Sequence, residues 1–368
     1  MGWTIAGFHA SAPLRPAGGL TSLAWTVGSN AGLLREIGGA LNQARVETLI
    51  AMTEAELERR SAMLAHRAAS GFSRRCHGDL HLGNILLEDG QAVLFDCIEF
   101  SDLLSDLDVQ YDLAFLLMDL DFRGRRDAGV RALSAWLDQA ARDFPAELWS
   151  GLAALPLMLS VRAAVRAHVD AHSGKPEVAR AYVEAAIAHL SPAPPVLAAV
   201  GGLSGSGKSS FARAIAPGLG ASPGAVILRT DEVRKRLWGV APTQTLGADA
   251  YTPEAHRRTH DELFANARDL LAAGVSVVLD ATFLDARERA RAAEVAAAMG
   301  VRFRPAWLDA PLAVLEARIT ARSGDASDAT VAVLRDQAAR TAGEVDWPNV
   351  NAEQPTAQAA RAWLAGFT

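Results

Sequence analysis

The chain has 368 residues, half of them hydrophobic, with 42 acidic side chains, 36 Lys and Arg, and a net charge of −6. That length accommodates two domains with substantial cores, and the acidic balance argues against a general nucleic-acid-binding surface, leaving at most a local basic groove. Cys76 and Cys97 are the only cysteines, which excludes a disulfide framework and suits reduced thiols in the cytoplasm.

The chain opens Met-Gly-Trp-Thr-Ile-Ala, without a basic leader or a cleavage site. The most apolar run, residues 151–161, reads as too short to span a bilayer and contains Pro156. A cytoplasmic protein with no membrane partner is therefore expected. Residues 1–190 read as mostly helical, with one short hairpin. Its strands are Ile85–Leu87 and Val93–Phe95, and Glu88-Asp-Gly-Gln91 is the turn.

Residues 77–84 read His-Gly-Asp-Leu-His-Leu-Gly-Asn. Asp79 and Asn84 have the D-x-x-x-x-N spacing of a kinase catalytic loop, in which the aspartate accepts a hydroxyl proton and the asparagine binds Mg²⁺. Asp96, at the end of the hairpin, stands where a second metal-binding aspartate belongs. This stretch resembles the aminoglycoside phosphotransferase and choline kinase group, whose loop reads H-G-D-x-x-x-x-N. Tyr111-Asp112-Leu-Ala114 also resembles that group, and the resemblance implies that Asp112 anchors the loop backbone from a buried helix. Phe8-His9-Ala10 resembles the first helices of that fold's second lobe.

A complete kinase fold carries an N-terminal lobe with a lysine on its third strand. Here 76 residues precede His77, and no lysine precedes Lys175. The resemblance is therefore to the remainder of a kinase fold that has lost its N-lobe, or to a chain whose start is placed too late. The expectation is a catalytically silent domain, with activity at Asp79 as the alternative.

Ser191-Pro-Ala-Pro-Pro195 marks a boundary, because its prolines favour an extended linker. The expected domains are 1–191 and 196–368, joined by residues 192–195. From 196 onward, strands (196–201, 225–230, 275–280, 302–308 and 348–351) alternate with helices (208–217, 231–238, 253–273, 285–299, 311–322 and 327–342). That alternation predicts an α/β domain, a parallel sheet with helices on both faces.

Residues 202–209, Gly-Leu-Ser-Gly-Ser-Gly-Lys-Ser, fit the phosphate-loop pattern G-x-x-x-x-G-K-[ST] between a predicted strand and a predicted helix. Gly202, Leu203, Ser204, Gly205, Ser206 and Gly207 would let backbone N–H groups curl around the phosphates of ATP, with Ser210 in the helix start behind them. Lys208 would reach the β- and γ-phosphates, and Ser209 would join a Mg²⁺ shell. Only three lysines occur in the chain, Lys175, Lys208 and Lys235. One of them stands where a compact ammonium is required.

Asp231 follows the second strand and suits a base toward an acceptor hydroxyl, or else a helix cap. Arg234, one turn on, would hold an anionic group of the acceptor. Asp280 ends the third strand and would hold Mg²⁺ beside Ser209. Arg318 and Arg322 share a helix face and would neutralise transferring charge, or else form a solvated surface.

Together these features resemble the small P-loop kinases, a group that includes gluconate and shikimate kinases, polynucleotide 5′-kinase and related antibiotic kinases. The whole order resembles bacterial fusions of an aminoglycoside phosphotransferase-like domain with an ATP-binding domain, described in part as AAA family ATPases. The expectation is an ATP- and Mg²⁺-dependent phosphotransferase acting through residues 196–368 on a small hydroxyl-bearing acceptor, with a nucleic-acid end as a lesser candidate. The alternatives are a nucleotide-binding regulatory or scaffolding ATPase, and aminoglycoside-type transfer by the N-terminal domain.

Overall fold

A computed structural model describes residues 1–321, 327–340 and 345–366. The chain divides into two compact units, Met1–Ala193 and Pro194–Thr368.

The first unit is helical from residue 2, and among the described residues no strand precedes Ser73. Its centre is the helix Val109–Phe122, in which every residue from Val109 to Leu120 is buried. A helix buried on all sides belongs in a core, and its buried polar residues Gln110, Asp112 and Asp119 are hydrogen-bonded there. The helix Leu155–His172 packs along it. The apolar run at 151–161 proves to be part of a longer helical stretch, Glu147–His172, so length alone does not exclude a membrane span as the sequence suggested. Within this unit 83% of its apolar window is buried.

The expected hairpin forms. Strand β2 (Ile85–Glu88) pairs antiparallel with β3 (Gln91–Leu94) in the register Glu88↔Gln91. Asp89 (φ 49°) and Gly90 (φ 76°) make the turn, both left-handed as a two-residue hairpin loop of this kind requires. A second antiparallel pair was not anticipated: β1 (Ser73–Arg75) against β4 (Asp106–Asp108). Three-residue strands reading Ser-Arg-Arg and Asp-Leu-Asp carry no periodicity. Tertiary contacts make the pair, including Arg67, buried and bonded through Nε to Asp108 Oδ2 at 2.8 Å.

The second unit is built on a five-stranded parallel sheet. Its strands are β5 (Val196–Gly202), β6 (Val226–Arg229), β7 (Val277–Asp280), β8 (Arg302–Asp309) and β9 (Asn349–Asn351), in the order β6-β7-β5-β8-β9. β5 to β7 are almost wholly buried, which is why they read as continuous apolar runs. The chain winds from β5 to one side and later crosses to β8 on the other. The carboxyl end of β5 therefore lies at a reversal of strand order, where open α/β sheets place their ligands.

Most predicted elements stand within two or three residues of their expected ends. The last helix, Thr356–Ala365, was missed, as was the 3₁₀ turn Ala248–Tyr251. Thr252 caps the helix Pro253–Ala272, its hydroxyl accepting from the Ala255 N–H at 3.2 Å.

Candidate active site

The loop after β5 takes the shape its glycines permit. Gly202 has φ 139°, and a Cβ there would lie 2.5 Å from the Leu308 carbonyl oxygen. Gly207, φ 88°, is the N-cap of the helix Lys208–Ile215, a left-handed position that a side chain would strain. Below the loop the Ser206 hydroxyl is buried without a hydrogen-bond partner. Lys208 Nζ donates to the Leu203 carbonyl at 2.9 Å, which folds the ammonium back over the loop.

The parallel register places the carboxylate chemistry beside this loop. β5 and β6 both flank β7, pairing Val200 and Arg229 with Asp280. Asp280 Oδ2 accepts from Ser209 Oγ at 2.6 Å and from Arg229 Nε at 3.2 Å. A hydroxyl and a carboxylate in contact at the end of a phosphate loop are hard oxygen donors, and this set suits Mg²⁺.

A cleft of about 700 Å³ opens over this end of the sheet. Of the residues singled out in the sequence, Ser204, Gly205, Gly207, Lys208, Ser209, Ser210, Asp231, Arg234, Asp280 and Arg318 line it. Gly202, Leu203 and Ser206 lie within the loop and do not line the cleft. Arg322 lies outside the described residues. Arg318 is exposed and donates from Nη2 to the Ala352 carbonyl at 2.8 Å, so in this geometry it braces the β9 end of the sheet.

Asp231 follows the second strand as expected and is the second residue of the helix Thr230–Leu237, which starts one residue earlier than expected; β6 stops at Arg229. Its carboxyl pKa is raised above the ordinary value. Burial is the main cause and the Asp280 charge adds to it, while Arg229, Lys208 and Arg234 pull the other way. Arg234 is buried, donates from Nη1 to the Ala250 carbonyl at 2.8 Å, and lies 5.0 Å from the Tyr251 ring centre. Its Nε is buried and has no partner.

Sequence reasoning missed several cleft residues. Asp328 Oδ2 accepts from Tyr251 O–H at 2.7 Å and from the Leu246 N–H at 3.2 Å. Its Oδ1 takes the buried Lys235 ammonium at 3.3 Å. The rarity of lysine was a signal for Lys235; nothing in the sequence marked Asp328. Gln337 Oε1 accepts from the Ser204 N–H at 3.0 Å and ties the helix Val331–Arg340 to the phosphate loop. His256 and His260 also line the cleft, and burial pulls His260 down to about 4.

In the first unit the 77–84 loop is held as the resemblance implied. Asp112, wholly buried, accepts from the His77 N–H at 3.2 Å and the Gly78 N–H at 2.8 Å. Trp136 Nε1 donates to His9 Nδ1, so the His9 proton sits on Nε2 and is given to Asp112 at 3.0 Å. Burial alone would raise Asp112, but His9, Arg162 and the Gly78 N–H together outweigh it and hold the carboxyl below its ordinary value.

Asn84 Nδ2 donates to Asp79 Oδ2 at 3.1 Å, which brings that predicted pair together. Burial would likewise raise Asp79, yet His81 and Asn84, with the more distant Arg162, hold it low. Asp96 is exposed with φ 61°. Its neighbour Phe95 is pinned to both ends of the loop, donating to the Asn84 carbonyl and accepting from His77 Nε2.

Residues 1–155 match the Phosphotransferase enzyme family and residues 197–343 match an AAA domain family. An uncharacterized protein of Mycobacterium tuberculosis (strain H37Rv) is 38% identical over 301 residues, covering 78% of this chain and 57% of that protein. A Mycobacterium bovis protein gives the same figures. The chain thus spans little more than half the length of these relatives.

Among solved structures, a sugar kinase from a Janibacter species is 22% identical with a TM-score of 0.36, covering 47% of this chain and 94% of that one. The Mycobacterium tuberculosis APS kinase, in complex with AMPPNP and APS, is 22% identical with a TM-score of 0.35, covering 47% and 97%.

Proposed function

Because the chain joins a phosphotransferase-family region to a P-loop kinase-like AAA domain, we propose that its second unit transfers the γ-phosphoryl group of ATP to a hydroxyl of a small acceptor. The observation that carries this reading is the convergence of Lys208, Ser209, Asp280, Asp231 and Arg234 on one cleft. A phosphate loop alone accounts for nucleotide binding. A half-buried carboxyl with a raised pKa, one helical turn from a buried guanidinium with a free N–H, accounts for an acceptor.

In this reading the loop N–H groups and Lys208 hold the ATP phosphates, with Lys208 exchanging its Leu203 carbonyl for phosphate oxygens. Ser209 and Asp280 would hold Mg²⁺, which supplies charge neutralisation at the β- and γ-oxygens when bound. Asp231 takes the proton of the acceptor hydroxyl as the new P–O bond forms, and its raised pKa brings it closer to the working range of a base. Arg234 orients the acceptor through its free Nε–H, so an acceptor carrying a carboxylate or phosphate suits the site best. Arg318, once released from Ala352, would offset transferring charge. Free Cys76 and Cys97 agree with a cytoplasmic setting.

The test is a screen of hydroxyl compounds for phosphate gain, using the full chain with ATP and Mg²⁺. Acceptor-stimulated turnover that is lost in Lys208→Ala is the expected result. ATP binding with no acceptor stimulation across the screen would replace this reading with that of a nucleotide-binding regulatory or scaffolding protein.

A further inference from the structure

The wall of the second unit's cleft holds a cluster that phosphoryl transfer does not use. His256 and His260 are four residues apart on the helix Pro253–Ala272, so they share a face. Glu288 reaches them from the first turn of the helix Ala286–Ala298, whose N-cap is Asp285. One ring nitrogen from each histidine and one carboxylate oxygen lie within 4.8 Å of one another. His256 Nε2 is 2.5 Å from Glu288 Oε1, and His260 Nδ1 is 3.6 Å from the same oxygen.

One oxygen is thus approached by two imidazoles and bonds only one of them. His260, 3% exposed, is left with Nδ1 buried and without a partner. A buried ring nitrogen left unpaired is destabilising, so it calls for an explanation.

We propose that His256, His260 and Glu288 bind a transition-metal divalent ion of the zinc, cobalt or nickel class. Two imidazoles and one carboxylate form a three-ligand set with at least one coordination position left open. Ligand atoms about 2.1 Å from a tetrahedral metal lie about 3.4 Å apart. The 3.6 Å pair already meets that spacing, and the 2.5 Å pair reaches it by a small opening of the exposed His256 ring. The ion would satisfy the orphaned His260 nitrogen and draw Glu288 onto a shared centre.

Both histidines face the cleft, so the open position faces it too, where an oxygen of a bound small molecule can enter. Nitrogen donors separate this site from the all-oxygen Ser209–Asp280 pair, which suits Mg²⁺. The buried set His9, Cys76 and Asp112 in the first unit does not compete. Both nitrogens of His9 are already engaged, by Trp136 and by Asp112. The proposal does not depend on the phosphotransfer reading.

The experiment is titration of the chelator-treated full chain with Co²⁺, followed by visible absorption and calorimetry, then Zn²⁺ competition and a large excess of Mg²⁺. The expected result is saturation at one equivalent with a tetrahedral-type spectrum, displacement by Zn²⁺, and resistance to Mg²⁺. His256→Gln and Glu288→Gln should each weaken Co²⁺ binding by at least about tenfold. Both positions are partly solvent-exposed, and an unchanged unfolding midpoint in the metal-free protein shows that the fold is kept. Wild-type affinity in both variants, absence of saturable binding, or ready displacement by Mg²⁺ would each overturn the site.

Discussion

Asp112 in the first unit is wholly buried, yet its pKa is held below the ordinary value. Asp231 in the second unit is only half-buried, yet its pKa is pushed up. The difference lies in their partners. Asp112 collects two backbone N–H groups, the His9 N–H and a guanidinium 4.0 Å away. Asp231 faces a cleft shared with the Asp280 charge, and the cations around it do not restore the balance. A carboxylate whose hydrogen-bonding capacity is met inside the fold is a structural anchor. One kept away from its preferred ionised state at a cleft wall is available for chemistry. Asp79 is also held below its ordinary value, by His81 and Asn84, but its side chain stays partly exposed.

The largest effect should come from Lys208→Ala. Removing the single ammonium from the phosphate loop should lower acceptor-stimulated turnover by about a hundred- to a thousandfold. Steady-state phosphate transfer, with ATP binding measured alongside, checks this. Unchanged values for both would separate the cleft from the chemistry altogether.

Asp231→Asn sharpens the contrast. Transfer should fall by about a hundredfold or more while ATP affinity is kept. The same substitution should stabilise the fold. The folded-state pKa of Asp231 lies above 3.8, so stability from its protonated form is complete below that value and is lost as pH rises through the folded-state pKa. The neutral amide should therefore raise Tm near pH 7, and the advantage should vanish in acid. A lower Tm at neutral pH would make Asp231 a structural cap.

Asp112 should behave in the opposite sense. Its depressed folded-state pKa adds stability above 3.8 that disappears as pH falls through the folded value. Asp112→Ala leaves two backbone donors and His9 unpaired and should cost about 3–5 kcal/mol, read by denaturant unfolding. A loss below about 1 kcal/mol would show that the loop does not depend on this anchor. The smallest effect is expected at Thr252→Ala, which removes the cap of the helix carrying His256 and His260 and should cost about 1 kcal/mol.

Much of the cleft was legible because its chemistry is local in the chain. The phosphate loop is eight consecutive residues, and Asp231 and Asp280 sit at the ends of apolar runs. The buried strands announced themselves as Val-, Leu- and Ala-rich segments. What stayed hidden depends on contacts far apart in sequence. Asp328 meets Lys235 across 93 residues and Tyr251 across 77. Glu288 joins His256 only because two helices pack side by side. The β1–β4 pair has no pattern of its own, and the boundary between β6 and the Asp231 helix lies one residue earlier than expected. The His256-x-x-x-His260 spacing is present in the sequence, but nothing in the sequence sets the Glu288 carboxylate beside it.

The most direct test of the account compares Asp79→Ala with Asp231→Asn in one assay of phosphate transfer to a stimulating acceptor. The account predicts wild-type turnover in folded Asp79→Ala protein and loss of about a hundredfold or more in Asp231→Asn. Loss of transfer in Asp79→Ala, with Asp231→Asn fully active, would contradict it and move the chemistry to the first unit.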